Sequence, residues 1–186
     1  QLLTQPDAAA VLGRLARGLL AGDAGARAVL LMGPPGSGKS RALRVLADNF
    51  RPLPTALLDA ASALGPGGLS QAFEGAGVLC LDGRGSLSEK STQLEELSRI
   101  LAEVNRSVPG ARGVVAVFAT IRVENLSDDR VDPLEARVDG RTHEVSLDAS
   151  SLLPLVVARG IPPSVLAEFR AFVPFQPLGA DMLRLL

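Results

Sequence analysis

The chain has 186 residues, 47% of them hydrophobic, and a formal net charge of −1, so it can bury a substantial core and lacks the signature of a disordered chain. Near-neutrality removes any general electrostatic pull toward nucleic acid, which is therefore not indicated as a partner. A single cysteine, Cys80, excludes an internal disulfide framework, and no apolar run reaches the length of a membrane span or resembles a signal peptide, so the expected location is the cytoplasm.

In chain order, residues 7–21 place Val11, Leu12, Leu15, Leu19 and Leu20 against Arg14 and Arg17, predicting an amphipathic helix that stops at Gly22. Residues 28–32 form a short apolar run that reads as a buried strand. The next eight residues, Gly33-Pro34-Pro35-Gly36-Ser37-Gly38-Lys39-Ser40, meet every fixed position of the pattern G-x-x-x-x-G-K-[ST]. Residues 40–50 then carry Leu43, Val45, Leu46 and Phe50 at near-helical spacing. Strand, glycine loop and helix is the context that this pattern needs. A chance Gly/Pro-rich turn is the bland alternative, and composition weighs against it: the chain has seventeen arginines and two lysines, and one of those two stands in the lysine slot.

The chemistry requires these residue types. Glycines let successive backbone N–H groups turn inward on phosphate oxygens, the Lys39 ammonium offsets their charge, and the Ser40 hydroxyl can ligate Mg²⁺. The helix N-terminus adds its positive dipole end. The phosphate site expected from the pattern comprises Gly33, Pro34, Pro35, Gly36, Ser37, Gly38, Lys39, Ser40 and the neighbouring Arg41, with ATP and Mg²⁺ as the cofactors.

Further along, Pro52 and Pro54 break the chain, and residues 55–59 read as a second strand. A turn at residues 65–68 precedes a short helical piece near 69–73. Residues 78–82 form a third buried strand ending in Asp82, where a parallel sheet would present its carboxylate to the ligand beside Ser40. A strand-terminal Asp capping a turn is the competing explanation. Residues 88–108 repeat Leu94, Leu97, Ile100, Leu101 and Val104 at helical spacing, and residues 113–121 are a long β-rich run. Residues 143–147 read as another strand, and residues 152–186 as mainly helical, interrupted by Pro162, Pro163, Pro174 and Pro177. Strands alternating with helices predict a three-layer α/β fold with a parallel sheet. The start at Gln1 and the apolar finish at Leu185 and Leu186 read as a piece of a longer protein.

Taken together, the glycine loop, the strands ending in Asp82 and Thr120, and the tail resemble the AAA+ ATPases. Three segments are similar to the clade that holds the Cdc48-type, NSF-type and peroxisomal AAA proteins. The run Phe118-Ala119-Thr120-Ile121-Arg122 resembles its sensor-one stretch. Asp132-Pro133-Leu134-Glu135-Ala136-Arg137-Val138-Asp139 resembles its D-P-A-L-x-x-R-F-D segment, and Leu178-Gly179-Ala180-Asp181-Met182 its helical lid. The resemblance implies a P-loop NTPase (AAA+) core over residues 1–147, with parallel sheet, followed by a partial helical lid over 148–186. It implies Ser40 and Asp82 at the metal, Thr120 in a sensor-like place, and Arg137 either as a trans-acting arginine or as an ordinary surface residue.

Departures from the family pattern shape the functional expectation. Gly83 holds the place of the water-activating glutamate, and Ile121 that of the sensor asparagine, while Glu89 reads with Glu95, Glu96 and Glu103 as a solvated helix face and only exceptionally as a substitute for the missing base. The segment 63–75, where a substrate-gripping loop is expected, offers no aromatic before Phe73. The expectation is an ATP-binding AAA+ module with weak or absent hydrolysis, an ATPase if active. It would stabilise or regulate a hexameric protein-remodelling assembly of like or unlike ring subunits with a protein client or adaptor, recruited in one version to an organelle surface such as the peroxisome.

The alternative is a nucleic-acid helicase or replication-initiation ATPase domain. That reading places the last strand at Phe172-Val173-Pro174-Phe175, with Glu168 in an arginine-finger place and a DNA-contacting hairpin within 139–158. A small-molecule kinase is a third option, without a visible acceptor-binding pair. Cys80 inside an apolar strand reads as a small buried hydrophobe, His143 as a lone strand-start residue, and Arg14, Arg17, Arg41 and Arg44 as solvated helix faces.

Overall fold

A computed structural model of the chain describes residues 5–22, 27–33, 35–50, 53–59, 77–83, 91–106, 116–122 and 162–175. In order these form α1 (Pro6–Leu20), β1 (Ala28–Gly33), α2 (Lys39–Asn49), β2 (Thr55–Asp59), β3 (Val78–Asp82), α3 (Ser91–Arg106), β4 (Ala116–Arg122), α4 (Pro163–Leu166) and β5 (Ala171–Pro174). The strands make one sheet in the order β2-β3-β4-β1-β5, and every pairing is parallel. The expected α/β architecture is present.

Side-chain parity divides the sheet into two faces. Val29, Leu31, Val78, Cys80, Ala116, Phe118, Ala171 and Val173 share one buried cluster with Ala8 and Leu12 of α1 and Ala42, Leu43 and Leu46 of α2. Phe50 closes that cluster against Phe118, ring centroids 5.4 Å apart. The alternate residues Leu30, Leu79, Leu81, Val117, Ala119 and Phe172 are equally buried, and α3 covers that side by contacting β1, β4 and α4. Strands buried on both faces explain why β1 and β3 read as unbroken apolar runs.

Local chemistry sets the helix ends. Pro6 begins α1 at a position whose N–H would have no partner anyway, and Asp7 and Arg17 complement the helix dipole at the two ends. Arg14, Arg17, Arg41 and Arg44 are exposed, as helix-face arginines should be. Asn105 in the last turn of α3 donates to the backbone carbonyl of Glu168, at 2.7 Å, and to its carboxylate, at 3.2 Å, tying that helix to the turn before β5.

One assignment differs from the main sequence reading and agrees with the alternative one. The fifth strand comes from the segment expected to be helical lid: Ala171–Pro174 lies parallel to β1, with Val29 opposite Ala171 and Met32 opposite Pro174. The sheet therefore continues past the boundary drawn at residue 147. Proline is tolerated there because among the described residues β5 is an edge strand and Pro174 is its last residue. The predicted strand at 143–147 and the short helix at 69–73 lie outside the described residues.

Candidate functional site

The site grows from the C-terminal end of β1, which is flanked on both sides by parallel strands. Gly33 ends that strand against β5. A Cβ built there would collide with the Phe175 carbonyl oxygen, and the Phe175 N–H donates to the Met32 carbonyl at 2.7 Å. Glycine is required at 33 by this close approach as well as by its φ of 154°. Gly36 and Gly38 are glycine for another reason: their φ values are 76° and 97°, in the left-handed region that side chains disfavour, although a Cβ would meet nothing within 4 Å.

Lys39 opens α2 and is only 8% exposed, and a buried ammonium needs partners. Its Nζ donates to the Gly33 carbonyl at 2.8 Å and to Ser37 Oγ at 3.2 Å. The loop is thus closed on itself by its own lysine, with both ends held by one cation. Ser37 is buried, Pro35, Gly36 and Arg41 are exposed, and Pro34 lies outside the described residues.

Parity brings the second half of the site to the same side. Asp82 is in step with Val78 and Cys80, and Thr120 with Ala116 and Phe118, so both point toward α2 at the strand ends. Ser40 Oγ donates to Asp82 Oδ1 at 2.8 Å, and Thr120 Oγ1 donates to the same oxygen at 3.2 Å. The Gly83 N–H in turn donates to Thr120 Oγ1 at 2.8 Å. Asp82 and Thr120 are buried, at 8% and 1% exposure, so these bonds form in a partly desolvated setting where they hold the carboxylate in one orientation.

Pro35, Gly36, Gly38, Lys39, Ser40, Arg41, Asp82, Gly83 and Thr120 line one cavity of about 340 Å³, within the usual range for small-ligand sites. A larger hollow of about 490 Å³ lies between the outer side of α2 and the sheet edge, walled by Arg44, Ala47, Asp48, Leu53, Thr55 and Leu57. It has no glycine loop and no hydroxyl–carboxylate pair, so the chemistry belongs to the smaller cavity. There the donor set fits a magnesium nucleotide: two cations and a concave run of backbone for phosphate, and a hydroxyl beside a carboxylate, both hard oxygen donors, for Mg²⁺.

Of the residues singled out in the sequence, Gly33, Gly36, Ser37, Gly38, Lys39, Ser40, Arg41, Asp82 and Thr120 are brought together. Arg137 and Glu89 lie outside the described residues. Cys80 is buried on the α2 side of the sheet, and burial pushes its thiol up to about 12, as expected of an inert core residue. Among the described residues no group of three or more His, Cys, Asp or Glu could hold a metal, and no helix is long and apolar enough to cross a membrane.

Sequence reasoning missed Gln5. It is 6% exposed, and its side-chain Nε2 donates to the Ser37 carbonyl at 3.3 Å, across 32 residues. The available signal was negative: Gln occupies the N-cap of α1, where Ser, Thr, Asp or Asn would cap, and it makes no side-chain cap bond.

A P-loop NTPase-like α/β fold, with the sheet order above, is what the elements and this loop define. The fold is similar to the crystal structure of the DnaC helicase loader, at 13% sequence identity and a TM-score of 0.56, over 89% of this chain and 86% of that one. It is also similar to the crystal structure of a DNA replication initiation factor, at 15% identity and a TM-score of 0.46, over 81% of this chain and 50% of that one. The first likeness establishes a shared fold, and the second is too distant to add to it. No protein-family model and no curated protein matches the chain. Nothing in these comparisons supports the narrower likeness to the Cdc48, NSF and peroxisomal clade.

Proposed function

We infer that the chain is an AAA+-type module that binds ATP with Mg²⁺ and hydrolyses it slowly or not at all. The observation that carries this reading is the pairing of Ser40 Oγ with Asp82 Oδ1 at 2.8 Å across the mouth of the glycine loop, next to a Gly83 on which no side chain fits. Residues 33–41 hold the phosphates: the loop backbone donates N–H groups, and Lys39 and Arg41 supply positive charge. Ser40 and Asp82 are the ligands offered to Mg²⁺, which when bound offsets phosphate charge. Thr120, whose proton is directed to Asp82 and whose oxygen accepts from Gly83, fixes the carboxylate.

Hydrolysis also needs a group that orients and deprotonates water. The residue after Asp82 would be the natural place for it, but a Cβ on Gly83 would collide with the Thr120 carbonyl oxygen. Loss of one positioned catalytic group typically costs about 3 kcal/mol of transition-state stabilisation, whereas ground-state binding by the loop is untouched. Binding therefore outlasts turnover.

As to biological role, the module acts within an oligomeric assembly on the replication side, as a helicase-loading or initiation ATPase domain, rather than in protein remodelling. Two observations support that choice. Strand β5, Ala171–Pro174, overlaps the residues 172–175 at which the replication-type reading put the last strand, and the fold is similar to that of a helicase loader. On this reading the arginine-finger place falls on Glu168, whereas a trans-acting role for Arg137 belongs to the protein-remodelling reading.

The test compares Mg-ATP affinity with turnover for the chain and for Lys39→Ala. Tight binding lost in the variant, with negligible turnover in both, is the expected result; turnover of several per second would overturn it. ATP-dependent association with single-stranded DNA or with a replicative helicase separates the replication role from protein remodelling.

A further inference from the structure

Gln5 stands outside the glycine loop, yet its buried side chain is committed to it. The residue precedes α1, whose Ala8 and Leu12 are locked into the core, and the Ala9 N–H donates to the Gln5 carbonyl at 2.9 Å. Its backbone is therefore fixed by the helix, while its amide reaches the Ser37 carbonyl. The Ser37–Gly38 peptide is a planar trans unit, so its carbonyl and its N–H point in opposite directions. Holding the Ser37 oxygen toward α1 turns the Gly38 N–H the other way. Gly38 sits at φ 97°, lines the cavity, and lacks the Cβ that would oppose rotation of this peptide. Without an external tether the same peptide could turn its oxygen toward the cavity, presenting a negative dipole to the ligand.

We propose that Gln5 is a positioning residue of the phosphate site: by donating its amide N–H to the Ser37 carbonyl it keeps the Gly38 N–H aimed at a bound phosphate. This rests on the ATP-binding reading above and adds to it a coupling between α1 and the loop. The identity of the side chain matters, because only the amide donates. A glutamate of the same length is ionised at neutral pH, cannot donate, and repels the carbonyl it faces.

The experiment titrates Mg-ATP and inorganic pyrophosphate into the unaltered chain, Gln5→Ala, Gln5→Glu and Lys39→Ala, and follows the Gly38 amide by ¹H–¹⁵N NMR. Loss of one such hydrogen bond should weaken both ligands about three- to tenfold in Gln5→Ala, and Gln5→Glu should be weaker still. Pyrophosphate should move the Gly38 resonance less in both Gln5 variants than in the unaltered chain. Equal affinities, or an unchanged Gly38 response beside weaker binding, would overturn the proposal, the latter marking Gln5 as merely structural. Should Gln5→Glu fail to fold, Gln5→Ala decides. If Lys39→Ala abolishes binding while the Gln5 variants keep it, only the role of Gln5 falls; if the unaltered chain binds neither ligand, the ATP reading falls with it.

Discussion

Thr120 and Gly83 meet at the ends of two neighbouring strands, and each limits the other. The Gly83 N–H donates to the Thr120 hydroxyl at 2.8 Å, and the Thr120 carbonyl oxygen occupies the space that a side chain at 83 would need. One residue thus does both: the Thr120 hydroxyl orients Asp82, and the Thr120 carbonyl closes position 83 to any catalytic group.

Restoring a carboxylate at that position should fail. Gly83→Ala is expected to lower stability by about 1–3 kcal/mol in denaturant unfolding, because the obstacle is backbone rather than a movable side chain. Gly83→Glu is expected to show no gain in phosphate release over the unaltered chain. A stable Gly83→Glu protein hydrolysing ATP several times per second would show that the strand ends yield easily and that only the carboxylate was missing.

Thr120→Val keeps the shape and removes the hydroxyl, leaving the buried Gly83 N–H without its acceptor and Asp82 without one donor. A loss of about 1–3 kcal/mol is expected, together with weaker Mg²⁺ dependence of nucleotide binding. Thr120→Ser retains the oxygen and should recover most of both. Chemical denaturation and nucleotide titration with and without Mg²⁺ measure the two effects.

Asp82→Asn separates charge from shape. The amide can still accept from Ser40 and Thr120, so the fold should hold with a small change in melting temperature. Mg²⁺ should then no longer tighten ATP binding, whereas Mg²⁺-free ATP should bind at least as well as before, since a negative charge beside the phosphates is gone. Unchanged Mg²⁺ enhancement in isothermal titration would remove Asp82 from the metal site.

Cys80 gives a pH signature. Its thiol is pushed up to about 12 from 9.0 by burial, so the folded state keeps a proton that the unfolded chain releases above pH 9. The stability tied to the neutral thiol is fully present below pH 9 and is lost as pH rises toward 12, by about tenfold in the unfolding constant per pH unit. Compared with Cys80→Ala, the unaltered chain should show this extra alkaline loss. In the native state at pH 8 the thiol should also resist alkylation.

Much of this was legible in the sequence because local signals and tertiary needs agreed. Strands β2 and β3 lie where their apolar runs end, at Asp59 and Asp82, and the glycine loop joins β1 to α2 as the pattern demands. Parity along β3 and β4 even places Asp82 and Thr120 on one face. What the sequence concealed was non-local. Phe172 and Val173 sit among prolines and read as a broken helix in one reading and as the last strand in the other, and the choice is made only by the partner that β1 supplies. Gln5 has no meaning as a motif, since its partner is a backbone carbonyl that carries no sequence signal. Gly83 read as a departure from a family pattern; only the Thr120 carbonyl shows it to be a steric requirement.

The wedge between Gly33 and Phe175 has a consequence for what counts as the smallest working unit. The loop begins where β1 leaves the sheet, and that exit is braced by a backbone contributed more than 140 positions later. A shortened chain ending at residue 147 would keep every residue of the glycine loop, Asp82 and Thr120, yet would turn β1 from an interior strand into a bare edge with unpaired backbone groups. Such a piece should associate with itself rather than hold nucleotide. The indivisible unit reaches at least to Phe175, which makes the late strand as much a part of the loop's architecture as the glycines themselves.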